Sequence, residues 1–294
     1  MRIVLILAVV GFWTISFANE PEQSCASGQS VIEATINHEG RARQYTLYRP
    51  ENLSSEAPLV FMVHGFGSSA KTVMGGTGLN DVADSNHFAV VYPQGLRVKD
   101  VISGKSDYGD STFWNSNPEW GMQVDDVGFL SELAAHLQSE CDLGTHRRFM
   151  VGHSNGGAMS YTMACLAPDI FNAVASVAGP EEIACKAPQA VPVLHIHGEQ
   201  DDVVPIDGSA TENSDKPIRS IQQTVEFWAA TSNYETLSEN FISPATTAFR
   251  YSNNDDDIEV WYYRIESWGH GWPKTADNTG TDAGEVIWQF FSRY

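Results

Sequence analysis

The chain has 294 residues, with 37 acidic against 17 basic residues and a formal net charge of −20. A surface of that sign repels nucleic acid and anionic lipid, which excludes a nucleic-acid binder or a membrane-surface protein and favours solubility. The length suffices for one large core, and no linker, repeat or low-complexity segment divides it.

At the start, Met1-Arg2 precedes an apolar run from Ile3 to Phe12, and Ser16-Phe17-Ala18 offers small residues for cleavage. The run is too short and wrongly flanked for an anchor, so it reads as a signal peptide, 1–18, leaving 19–294 as one domain. The four cysteines, Cys25, Cys141, Cys165 and Cys185, fit an oxidising compartment, extracellular or periplasmic. Three pairings are open to them. Cys165 closes a helix and Cys185 lies in the loop beyond the next strand, so these two are the expected pair, leaving Cys25 with Cys141.

Strand-like runs fall at 43–48, 58–64, 88–92, 147–152, 173–178, 191–196, 246–252 and 258–265. Helical stretches fall near 79–87, 124–139, 155–166, 217–231 and 283–292. The alternation in the middle of the chain predicts an α/β fold, a mostly parallel sheet with helices on both faces. The first two of these strands are expected at an antiparallel edge, with a further strand before the turn at Asn37-His38-Glu39-Gly40. Asn253-Asn254-Asp255-Asp256-Asp257 lacks the spaced ligands of a calcium loop and reads as a polar hairpin turn.

Four of the loops carry chemistry. The apolar strand Pro58–Val63 runs into His64-Gly65, and the turn at Gly65 exposes the backbone N–H of Phe66. His64 itself reads as a structural residue that holds the loop through its side chain. Next, Gly152-His153-Ser154-Asn155-Gly156 joins a short apolar strand to a helix. A serine at such a corner sits on a sharp turn that flanking glycines permit, with its hydroxyl projecting free. The N–H of Asn155, at the helix N-terminus, points to where negative charge would develop on an attacked carbonyl. The Phe66 N–H is the second donor of that oxyanion hole.

Such hydrolases run Ser, then Asp or Glu, then His along the chain. The strand Val191–His197 ends in a loop with two adjacent aspartates, Asp201 and Asp202, of which Asp201 is preferred as the acid. His270 follows on a tight loop, Trp268-Gly269-His270-Gly271-Trp272-Pro273, and is the candidate base. Among the nine histidines no metal spacing such as H-E-x-x-H occurs, and neither metal nor cofactor is expected. His195 and His197 alternate with apolar residues, so one of them is expected in the interior. His38, His87, His136 and His146 read as surface residues. Trp114, Trp120, Trp268 and Trp272 lie near these loops and are candidate stacking residues for a ring or a sugar, although core packing would explain half of them equally well.

The chain resembles the secreted esterases grouped with polyhydroxybutyrate depolymerases and feruloyl or acetyl xylan esterases, members of the alpha/beta-hydrolase superfamily. The shared words are His64-Gly65, Tyr92-Pro93-Gln94-Gly95, Asp125-Asp126-Val127-Gly128-Phe129-Leu130, Gly152-His153-Ser154-Asn155-Gly156-Gly157, Val177-Ala178-Gly179, His197-Gly198 with Asp201, and Gly269-His270 with Trp272-Pro273. By that resemblance Ser154, Asp201 and His270 are nucleophile, acid and base. One departure is Asn115–Met122, where many relatives carry a cysteine-containing loop; it bears on substrate preference, not on the chemistry.

These readings predict a secreted serine ester hydrolase acting on small soluble esters: feruloyl or acetyl esters, or hydroxyalkanoate oligomers. The short stretch after His270 is expected to hold a closing helix and no polymer-binding module, which makes a polyester depolymerase the alternative. A serine peptidase on the same scaffold and a binding protein with a degenerate triad are weaker alternatives. A chromogenic short-chain ester tested beside a peptide anilide separates them.

Overall fold

The computed structural model describes residues 30–102, 107–186, 189–209, 218–253 and 258–294. The expected signal peptide, Cys25 and most of the Asn253–Asp257 run lie outside the described residues. In chain order the strands are β1 (Val31–His38), β2 (Arg41–Tyr48), β3 (Leu59–Val63), β4 (Ala89–Pro93), β5 (Leu96–Arg97), β6 (Thr112–Phe113), β7 (Arg148–His153), β8 (Ala173–Val177), β9 (Val193–Gly198), β10 (Thr236–Ser243), β11 (Thr246–Ser252) and β12 (Val260–Ile265). The helices are α1 (Ala70–Gly76), α2 (Leu79–Asn86), α3 (Val98–Val101), α4 (Asp126–Cys141), α5 (Asn155–Leu166), α6 (Ile221–Thr231) and α7 (Ala283–Phe291).

Ten of the strands form one sheet in the order β1-β2-β4-β3-β7-β8-β9-β12-β11-β10, and β5 and β6 form a small separate ladder. The six central strands, β4 to β12 in that order, pair in parallel. The pairs at the two ends are antiparallel. β3, β4 and β8 are buried along their whole length, as their unbroken apolar sequences require when both faces are covered. Along β3, Leu59, Phe61 and Val63 join one core with α4, α5 and α6; Val60 and Met62 join the other with α1, α2 and α7. This is the mostly parallel α/β sheet that the alternation of strands and helices predicts, and the alpha/beta-hydrolase architecture that the resemblance implies.

One expectation is corrected. The run at 58–64 is not at the edge: β3 lies inside the sheet between β4 and β7, because five consecutive buried apolar residues suit only a strand covered on both faces. The antiparallel edge is β1 with β2, joined by a turn at Glu39-Gly40. The other edge, β10, is an additional strand whose mostly exposed face gives it no apolar alternation to read. No helix among the described residues is long and apolar enough to cross a membrane.

Two cross-links tie loops to this frame. Cys165 and Cys185 form a disulfide with their Cα atoms 5.8 Å apart, as expected; Cys25, the expected partner of Cys141, lies outside the described residues. Arg43 of β2 and Asp126 of α4 form a buried ion pair, Nη2 to Oδ1 at 2.6 Å. The other Asp126 oxygen accepts the Asn115 N–H at 2.8 Å, and the Arg43 guanidinium lies 3.9 Å from the centre of the Phe129 ring. Removing one partner of such a pair leaves a buried charge uncompensated. Asp126→Ala should therefore lower the unfolding free energy by about 3–5 kcal/mol in a denaturant titration. Arg43→Met combined with Asp126→Leu should recover part of that loss; a double variant less stable than Asp126→Ala contradicts the account.

Candidate active site

Ser154 lies between β7 and α5 with φ 55° and ψ −121°, a left-handed conformation unusual for a residue with a side chain. The turn is pinned by the Ser154 N–H donating to the Val177 carbonyl at 2.9 Å. Close packing requires its glycines: a Cβ on Gly152 would meet the Gly156 carbonyl, and one on Gly156 would meet the Val63 carbonyl. The serine side chain is left half-buried at the carboxyl ends of the parallel strands.

β9 and β12 are parallel neighbours, so the loops that follow them start side by side. The Gln200 N–H donates to the Trp268 carbonyl at 2.9 Å and ties the two loops together. Across that junction His270 Nδ1 lies 2.7 Å from Asp201 Oδ2, with the carboxylate buried and the imidazole half-buried. Asp201 Oδ1 accepts the N–H groups of Val203 at 2.9 Å and Val204 at 2.8 Å. Burial alone pushes the Asp201 carboxyl up, but the hydrogen bonds from His270 and the Val204 amide outweigh it and hold the group below the ordinary carboxylate range. Asp202 is exposed.

The third loop follows β3. His64 is fully buried, and its Nε2 accepts the Gly95 N–H at 3.0 Å, so the neutral ring carries its proton on Nδ1 and donates to the Gly65 carbonyl at 2.8 Å. That hydrogen bond holds the loop as expected of His64. The backbone N–H groups of Phe66 and Asn155 donate to no acceptor among the described residues. The Asn155 side chain grips the Trp114 backbone on both sides, accepting its N–H at 2.8 Å and donating to its carbonyl at 3.1 Å.

Ser154, His270 and His153 line one cavity of about 340 Å³, together with Gly65, Phe66 and Trp272. Of the four tryptophans singled out by sequence, Trp272 alone lines this cavity. Trp114 offers no stacking face, because it is wholly buried and its Nε1–H donates to the His64 carbonyl at 3.0 Å. Trp120 is 56 % exposed on a 3-10 turn away from the cavity. Trp268 packs against the core beneath Gly271. Phe66 and Tyr108, both exposed, meet edge to face at 5.7 Å and form an aromatic rim that the sequence did not mark.

The profile of the Esterase family, described as "Putative esterase", matches residues 36–261. The chain belongs to the esterase family. It is 27 % identical over 266 residues to the bifunctional acetylxylan esterase/xylanase XynS20E of Neocallimastix patriciarum, covering 88 % of this chain but only 35 % of that protein. It is 26 % identical over 222 residues to feruloyl esterase C of Emericella nidulans, covering 72 % of this chain and 74 % of that one. In three dimensions it is similar to the acetyl xylan esterase from Aspergillus awamori, with a TM-score of 0.63 at 14 % identity over 90 % of this chain and all of the other. Its activity is carboxylic-ester hydrolysis.

The histidines of this esterase are more buried than their sequence suggests. His195 and His197 are both interior, not one of them, and His38 and His136 are partly buried, leaving His87 and His146 on the surface. His153, not singled out by sequence, packs its ring 5.1 Å from that of His270. Its position inside the serine motif was a signal, but nothing local tells which way its ring turns. Burial lowers the pKa of His64 and of His153 to about 4. Each binds a proton in the unfolded chain below about pH 6.5 and stays neutral in the fold until about pH 4. Their contribution to stability is therefore fully present above pH 6.5 and is lost as pH falls toward 4. Melting temperature should drop across that window, and His64→Gln should flatten the slope. An unchanged slope in that variant contradicts the assignment.

Proposed function

We propose that this esterase works through an acyl-enzyme formed on Ser154. His270 takes the hydroxyl proton as the oxygen attacks the ester carbonyl, then returns it to the leaving alcohol; water repeats the cycle and releases the acid. Asp201 orients the imidazole and stabilises its charged form. The amides of Phe66 and Asn155 receive the oxyanion. The observation that carries this reading is the 2.7 Å contact between His270 Nδ1 and buried Asp201, on an imidazole that shares a cavity with Ser154. That contact leaves Nε2 as the nitrogen free to act as base.

The substrate class we propose is small soluble esters of the feruloyl or acetyl type, or hydroxyalkanoate oligomers. Support comes from the acetylxylan and feruloyl esterases among its relatives and from a cavity of about 340 Å³ walled by Trp272 and rimmed by Phe66. Secretion is part of the same reading, with a leader at 1–18 and one catalytic domain at 19–294. It is supported by the charged and apolar pattern of the first residues and by the Cys165–Cys185 disulfide.

The two adjacent aspartates give a sharp test. Asp201→Asn should lower kcat by about 10⁴-fold, because the amide favours the wrong imidazole tautomer, whereas Asp202→Asn should leave it within about twofold. A fluorophosphonate should label the wild-type protein once, on the peptide that contains Ser154; a label elsewhere refutes the nucleophile.

Substrate class is tested with acetyl, feruloyl and 3-hydroxybutyrate esters on the purified protein. Soluble esters should turn over much faster than a polyester film, and Trp272→Ala should weaken aryl esters more than acetyl esters. Rapid clearing of a polyhydroxybutyrate suspension would favour the depolymerase alternative.

A further inference from the structure

Asp201 faces a second imidazole. His195 and His197 alternate along β9 and so lie on one side of it, each with no more than 1 % of its surface exposed. Tyr161 of α5, also fully buried, places its hydroxyl 2.7 Å from His195 Nδ1. His195 Nε2 lies 3.0 Å from His197 Nδ1, and the two rings stack 13° from parallel. His197 Nε2 lies 2.9 Å from the Val204 carbonyl and 3.4 Å from Asp201 Oδ2.

The direction of every hydrogen bond in this row follows from its last member. A carbonyl oxygen only accepts, so His197 Nε2 carries the proton. Burial holds both rings neutral, which leaves His197 Nδ1 as an acceptor and makes His195 Nε2 the donor to it. His195 Nδ1 must then accept from the Tyr161 hydroxyl. The opposite tautomer of His197 would turn a lone pair toward two oxygens, the Val204 carbonyl and the Asp201 carboxylate. The Val204 carbonyl therefore sets the proton on every nitrogen of the row, and the Tyr161 hydroxyl closes its far end by donating to His195 Nδ1.

We infer that His197 is a positioning residue for Asp201, held in its working tautomer by the Val204 carbonyl and buttressed from behind by His195 and Tyr161. The inference rests on the proposal that Asp201 serves His270 in a serine mechanism. His197 anchors Val204 by its carbonyl while the Val204 N–H holds Asp201 Oδ1, and the same imidazole lies 3.4 Å from Oδ2, the oxygen that meets His270. The carboxylate is thus gripped on both oxygens, and Oδ2 can face only one way. A displaced acid would misplace the His270 ring, and misplacement on the ångström scale is enough to slow a chemical step by tens to a hundredfold.

Two amide substitutions separate a donor from mere bulk. In His197→Gln the amide nitrogen stands where Nε2 stood and still reaches the Val204 carbonyl. In His197→Asn the amide is one bond shorter; it still accepts from His195 but no longer reaches the Val204 carbonyl or Asp201 Oδ2. The expected result is a loss in kcat of about tenfold or more for H197N with KM within about twofold of wild type, and recovery to within about threefold for H197Q. Wild-type kcat in H197N, equal losses in both variants, or a change confined to KM overturns the inference. Should H197N fail to fold by circular dichroism, Tyr161→Phe decides. It removes the hydroxyl that donates to buried His195 Nδ1 and so loosens the row behind the His197 ring, and should lower kcat at constant KM; unchanged kcat there overturns the inference as well. Ser154→Ala in the same assay tells the two failures apart. If that variant still turns over ester, the serine mechanism is wrong; if it is inactive while the position-197 and position-161 variants behave as wild type, only the positioning role is wrong.

Discussion

The backbone at Ser154 is the constraint around which the rest is arranged. A side-chain-bearing residue at φ 55° costs on the order of 1–3 kcal/mol, and it persists only where the surroundings leave no alternative. Here β3, β7 and α5 approach so closely that Gly152 and Gly156 touch carbonyls where any side chain would clash. The Val177 carbonyl takes the Ser154 amide from the other side. Trp114, the Asn155 side chain and His64 then secure the flanking loop through backbone contacts. Their burial is what makes the corner rigid.

Parallel strands supply the second half of the arrangement. Because β3, β7, β8, β9 and β12 run side by side in one direction, the loops after β3, β7, β9 and β12 open on the same edge. The register pairs Gly198 with Ile265, so the acid loop and the histidine loop leave the sheet level with one another. One backbone hydrogen bond, from Gln200 to Trp268, then suffices to bring Asp201 and His270 together although 69 residues separate them.

Much of this was legible in the sequence because it is local. Apolar runs read as strands, the glycines around Ser154 read as a tight corner, and the loop after an apolar strand held the aspartate that meets His270. What sequence could not supply is which strand lies beside which. The place of β3 inside the sheet, the burial of Trp114 and the Arg43–Asp126 pair all depend on contacts between distant segments. β10 left no apolar period because its side chains are mostly exposed. Both histidines of β9 looked like an ordinary alternation; only the approach of Tyr161 from α5 and of the Val204 loop shows that the pair forms a directed row.

The Ser154 corner also has a place in time. Its neighbours along the chain, β7 and α5, can form early and locally, but they do not by themselves force the left-handed turn. The Val177 carbonyl comes from β8, the next strand after α5, but the Val63 carbonyl packed against Gly156 comes from β3, far upstream. Closing that long loop carries the larger entropic cost, so the β3 contact belongs to a later stage of sheet assembly. A partly folded chain would hold α5 without the strained serine. The strained backbone at Ser154 is thus complete only once β3 has joined β7 in the sheet.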